Sequence, residues 1–81
     1  MLDAKIVGKV IQHYRKAKGL SQEVLSGLAN ICRTHLSSIE RGGRKPTLET
    51  LYRISLALDV SASELMKDIE QEMKNLSSDR P

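Results

Sequence analysis

Tryptophan and phenylalanine are absent from this 81-residue chain, and tyrosine occurs twice. A core without the large aromatic anchors common in protein interiors must be aliphatic. The single cysteine, Cys32, excludes an intramolecular disulfide. No charged leader followed by an apolar stretch opens the sequence, so a reducing, cytoplasmic setting is expected. No apolar run approaches the ~20 residues that a membrane-spanning helix needs, and no membrane partner is expected. Two prolines and five glycines are too few for a fibrous or disordered chain. No segment alternates apolar and polar residues long enough to make a convincing strand. Enzymatic signatures are also missing: there is no paired-carboxylate cleft, no glycine-rich phosphate loop and no nucleophile–base pair beyond the spacing of Cys32 and His35.

What is present favours helix. Leu, Lys, Glu, Ala, Ser and Ile dominate, and 40% of residues are hydrophobic, enough for one small all-α domain. The net charge of +3 is unevenly placed. Residues 1–45 hold nine Lys/Arg against three acids, and residues 46–81 hold four against seven. A basic front half suits a polyanion approached from one side, although chance alone produces such asymmetry about as often.

Five helices follow from their start and stop signals. Asp3 caps the first, in which Val7, Val10, Ile11 and Tyr14 share a face and Gly19 ends the run. Ser21 caps the second, with Val24, Leu25, Leu28 and Ala29 as its apolar side, and Asn30 follows as a residue that tolerates left-handed backbone. The third spans about Arg33 to Arg41, with Leu36 and Ile39 inward, and Gly42-Gly43 breaks it. Thr47 caps the fourth, where Leu48, Leu51, Ile54, Ser55 and Leu58 recur at helical spacing. Ser61 and Glu64 fit a capping box for a fifth helix carrying Ala62, Leu65, Met66, Ile69, Met73 and Leu76. One domain over residues 1–76 with a frayed tail over 77–81 is the expected organisation.

Helices two and three are short and separated by a few residues around Asn30, a spacing that forces a steep crossing of the helix-turn-helix kind. With Leu36 and Ile39 facing inward, helix three leaves Arg33, Thr34, Ser37 and Ser38 for solvent. A surface helix needed only for solubility would more often carry Glu and Lys. Short hydroxyls and an arginine can instead approach base edges closely.

The motifs "GKVIQHYRKAKGLSQEVL", "SSIERGGRKPTLETLYRISLALDV" and "SASELM" resemble, in order and spacing, the helix-turn-helix domains of the phage repressor/Cro type, the XRE family. The resemblance runs from about Gly8 to Met66. Ser26, Asn30 and Cys32 depart mildly from the family pattern, standing where Ala, Gly and Ser or Thr are usual. The triplet Arg33-Thr34-His35 in "CRTHLSSIERGGRKPT" is similar more narrowly to restriction–modification controller proteins, with His35 in place of an aromatic. The resemblance implies a compact five-helix, lambda-repressor-like domain that regulates transcription as a homodimer on palindromic double-stranded DNA; no cofactor or metal is expected, and no small-molecule effector is evident. It implies that Ser21 and Gln22 meet the duplex at the start of helix two. It further implies that Arg33, Thr34 and Ser38 contact bases, Ser37 lies beside them, and Arg41, Arg44 and Lys45 meet phosphates. Glu40 would pair with Arg15 as a structural ion pair. His35 is assigned either to a phosphate or to solvent, and His13 to solvent.

Two further readings concern assembly and cysteine chemistry. Met66, Ile69, Met73 and Leu76 reach past what a small core needs and are expected to form the dimer surface, unless Ile69 and Met73 fold back on the domain itself. Cys32 and His35 are three residues apart, but structural zinc needs about four ligands and no other cysteine exists. A helix N-terminus can activate a thiol, yet Cys32 is more simply a replacement for serine. The rival from another class is a protein-interaction adaptor or antitoxin-like module on the same fold.

Overall fold

The computed structural model describes residues 1–78, with side chains to residue 76. It contains five helices: α1 (Ala4–Ala17), α2 (Gln22–Ala29), α3 (Arg33–Glu40), α4 (Leu48–Ala57) and α5 (Ala62–Ser78). There is no strand among the described residues. Four helix ends are closed by one repeated device. Gly19, Asn30, Gly42 and Asp59 take positive φ, at 71°, 57°, 80° and 58°. At each, the N–H groups of that residue and the next bond back to the last turn, as in Asn30 N–H to Gly27 O at 3.2 Å and Ile31 N–H to Ser26 O at 3.0 Å. These paired bonds are the Schellman arrangement, which satisfies carbonyls that a helix end leaves open. The residues that follow, Leu20, Ile31 and Val60, turn inward onto the core.

Starts are as specific. Asp3, Ser21 and Thr47 accept from backbone N–H groups of α1, α2 and α4, and Ser61 Oγ accepts from Glu64 N–H at 3.0 Å in α5. Cys32, before α3, makes no such side-chain bond. The core is wholly aliphatic, drawn from Val7, Val10 and Ile11 of α1 through Leu25, Leu36, Ile39, Ile54 and Leu58 to Leu65 and Ile69 of α5.

Three apolar assignments change. Val24 and Leu28 of α2 are exposed, and so is Leu48 of α4. An eight-residue helix against a small core buries one narrow face, here Leu25 and Ala29, and leaves the flanking positions in solvent. The fifth helix includes Ser77 and Ser78, both assigned to the frayed tail, and residues 79–81 of that tail lie outside the described residues.

Candidate nucleic-acid interface

Helix α3 stands on α1 at a very short separation. A Cβ built on Gly8 would sit 2.2 Å from the carbonyl oxygen of Ile39 and 2.7 Å from that of Glu40. Only a residue without a side chain permits this approach. About two turns further along α1, Arg15 reaches the same helix. Its Nε donates to Glu40 Oε2 at 2.7 Å and its Nη2 to Glu40 Oε1 at 3.0 Å, while Nη1 donates to Leu20 O at 2.8 Å. Both residues are buried. A third donor completes the cluster: Gln22 Nε2 bonds Glu40 Oε1 at 3.0 Å, joining the start of α2 to the end of α3. This bond escaped sequence reasoning, which gave Gln22 only an outward role.

With its inner side fixed by Leu36, Ile39 and Glu40, α3 turns a polar row outward. Arg33 and Thr34 are exposed, and His35, Ser37 and Ser38 are half-buried. Gly43 lies over Ser38, where an added Cβ would come within 2.9 Å of the Ser38 hydroxyl oxygen. Past the helix, Arg41, Arg44 and Lys45 are exposed, and Lys45 Nζ donates to Leu2 O at 3.4 Å. Lys5, a cation the sequence reading did not include, joins them: Gly42 packs so closely on it that a Cβ would lie 2.6 Å from Lys5 Cγ. No local pattern connects Lys5 with Gly42. Ser21 accepts from Val24 N–H at 3.1 Å as the cap of α2. The structure therefore gathers Ser21, Gln22, the outward residues of α3 and the cations beyond it at the α2–α3 unit and its exit.

The α5 residues expected to face a partner are differently placed. Ile69 is 0% exposed within the domain's own core, and Met66 and Met73 are half-buried against that core. Only Leu76 is exposed. The assignment of Ile69 to a partner surface is corrected accordingly, because α5 lies along α1 and spends its apolar stripe inside the domain. Tyr14 of α1 donates its phenol hydrogen to Asp68 of α5 across that contact. This bond, with burial adding to it, pushes the Tyr14 pKa up to about 12. A groove of about 660 Å³ opens beside it between α1 and α5, lined in part by Lys9, His13 and Glu72 and by no residue of α2 or α3. Among the described residues, no cluster of three His, Cys, Asp or Glu side chains could hold a metal, and no helix is long and apolar enough to cross a membrane.

Two short helices joined by a tight left-handed turn, the second held rigidly with a polar face outward, define a helix-turn-helix protein. Residues 11–65 match the family model described as helix-turn-helix, and the chain belongs to that family, in its XRE-type branch. It is 43% identical over 74 residues to control protein C.MunI of Mycoplasma sp, covering 89% of this chain and 100% of that one. The HTH-type transcriptional regulator y4dJ of Sinorhizobium fredii is 40% identical over 67 residues, covering 83% of this chain and 87% of its own. Among solved structures, the restriction-modification controller protein C.AhdI from Aeromonas hydrophila superposes with a TM-score of 0.76 at 36% identity, over 78% of this chain and 96% of that one.

Proposed function

We propose that this protein is a sequence-specific regulator of transcription that binds palindromic double-stranded DNA as a homodimer in the cytoplasm. The observation that carries the reading is the outward face of α3, where Arg33 and Thr34 are exposed beside half-buried hydroxyls and followed by Arg41, Arg44 and Lys45. Such a row fits the major groove, with the flanking cations at the phosphates. The likeness to control proteins of restriction–modification systems supports the narrower reading of a controller of that kind.

Arg33 reads a guanine through its planar fork, and Arg44, beyond the helix end, holds phosphate. Binding of selected and single-mismatch duplexes at several salt concentrations tests both roles. Arg33→Ala should cost about 1–3 kcal/mol on the best site and relax preference at one base pair per half-site. Arg44→Ala should weaken all duplexes alike and lower the salt slope by about one per subunit. Should Arg33→Ala keep the full mismatch penalty everywhere, its base-reading role is lost. Absence of salt-dependent duplex binding by the wild type would favour the adaptor reading instead.

The second copy docks on α4. Leu48, Tyr52 and Leu56, at 83%, 53% and 61% exposure, repeat every four residues and so form one apolar stripe. Leu48 and Tyr52 also border a shallow depression with Ala62 of α5. A two-fold pair would set the recognition helices roughly 34 Å apart, one DNA turn. Sedimentation should show Leu56→Asp as a monomer and Leu76→Asp as wild type; the reverse result would return the interface to the end of α5.

A further inference from the structure

We infer that Glu40 is a positioning residue for DNA binding as well as half of an ion pair: through Gln22 it orients the donor that meets the first phosphate at α2. The inference rests on the DNA-binding reading above. Glu40 is the last residue of α3 and is buried, with its side chain 1% exposed. Its Oε2 takes Arg15 Nε, and its Oε1 takes both Arg15 Nη2 and Gln22 Nε2, each at 3.0 Å. Gln22 is the first residue of α2 and half-buried, so its carboxamide spans the distance from the buried carboxylate to the surface.

A carboxamide has a donor end and an acceptor end of nearly equal shape, and in water it exchanges them freely. Against a carboxylate the two ends are not equivalent. The N–H end is attracted, and the carbonyl oxygen would lie against a negative charge in a site screened from water. Glu40 therefore holds the Gln22 amide in one orientation, with its nitrogen beside the protein. That nitrogen carries a second hydrogen, and no protein group among the described residues accepts it. At the same helix start, Val24 N–H is taken by Ser21 Oγ and Leu25 N–H by Ser21 O, which leaves the backbone N–H groups of Gln22 and Glu23 open. The amide is thus set to be shared between two anions, the Glu40 carboxylate inside and a DNA phosphate outside. An amide ordered before binding loses less freedom on docking than a mobile one. The same geometry makes the ion pair felt at the DNA, since Arg15 fixes Glu40 and Glu40 fixes Gln22.

A double-mutant cycle on the full chain tests this. Gln22→Met, Glu40→Gln and the double variant are titrated with the selected duplex and its single-mismatch series, at a temperature where circular dichroism shows each folded. Gln22→Met should weaken every duplex by a similar factor, on the order of fivefold to tenfold for a charge-assisted bond. Glu40→Gln should weaken wild type by at least as much, and its factor should shrink several-fold in the Gln22→Met background, the remainder coming from the hold of Arg15 on α3, while thermal stability falls in both backgrounds. Equal factors in both backgrounds would make Glu40 merely structural, and a change confined to one base pair would make Gln22 a base reader; either overturns the inference. Should Glu40→Gln not fold, relaxation of the Gln22 side-chain amide in the free wild type decides instead. It should be ordered, in contrast to the amide of Gln12, which bonds no side chain or backbone group among the described residues, and equal mobility of the two refutes the claim. Wild type that binds no duplex would instead overturn the DNA-binding reading itself.

Discussion

Replacing Glu40 with glutamine should destabilise the domain by about 3 kcal/mol, the low end of the 3–5 kcal/mol expected for breaking a buried pair. The magnitude follows from what remains. Arg15 keeps its bond to the Leu20 carbonyl but loses the charge that offsets its guanidinium, in a site where both partners are buried. The new carboxamide can still accept from arginine through one oxygen, which is why the low end applies. A domain of this length has a total stability of roughly 4–12 kcal/mol, so the loss is a quarter of it or more. At about 4–8 °C per kcal/mol, Tm should fall by roughly 12–24 °C. Thermal and urea unfolding followed by circular dichroism measure both quantities. The control is Arg15→Met with Glu40→Leu, which removes both charges and fills the space with apolar atoms. It should recover most of the loss, because the single variant is unstable mainly through an uncompensated buried charge. A Glu40→Gln variant melting within about 4 °C of wild type would refute the argument. So would a double variant no more stable than Glu40→Gln.

Three other outcomes follow from local geometry. Gly8→Ala should lose about 1–3 kcal/mol despite alanine's better helix propensity, because the carbonyls 2.2 and 2.7 Å from the added Cβ are backbone and α1 must move off α3; wild-type stability by urea unfolding would contradict that separation. Asn30 holds φ 57°, so Asn30→Ala should cost about 1–2 kcal/mol while Asn30→Gly stays at or slightly above wild type, and equal melting of the two would deny the left-handed turn. Tyr14 has its pKa pushed up to about 12, above the ~10 of an unfolded tyrosine, so the stability it lends is full below pH ~10 and is lost as pH rises toward 12. Tyr14→Phe should flatten that alkaline decline, and ultraviolet titration showing Tyr14 ionising near pH ~10 would contradict it.

What could be read from the sequence was what is decided locally. Gly19, Asn30 and Gly42 announce helix ends because left-handed backbone restricts the choice of residue, and Asp3, Ser21, Thr47 and Ser61 announce starts because a free N–H needs a nearby oxygen. The outward row of α3 was legible for a related reason: Leu36 and Ile39 leave no other side for Arg33 and Thr34. Burial by a distant segment has no such signature. Ile69 carries the same helical spacing whether its face meets the domain's own core or a second copy, and only the position of α1 decides. Leu28 and Leu48 read as core by the same rule and are in solvent.

Helix α1 illustrates the point most fully, since no residue of it was assigned to DNA. It fixes α3 at two places, by near-contact at Gly8 and by the fork of Arg15 on Glu40. The first sets how close the helices stand, because backbone meets backbone there and cannot yield. The second sets rotation, because a two-pronged bond to a carboxylate tolerates little twist. With separation and rotation both held, the direction of Arg33 and Thr34 is settled before any duplex arrives. The ordering cost that a mobile helix would meet on binding has already been met in folding. Substitutions on the inner face of α1 should therefore alter DNA affinity without touching DNA, through the angle at which α3 is presented.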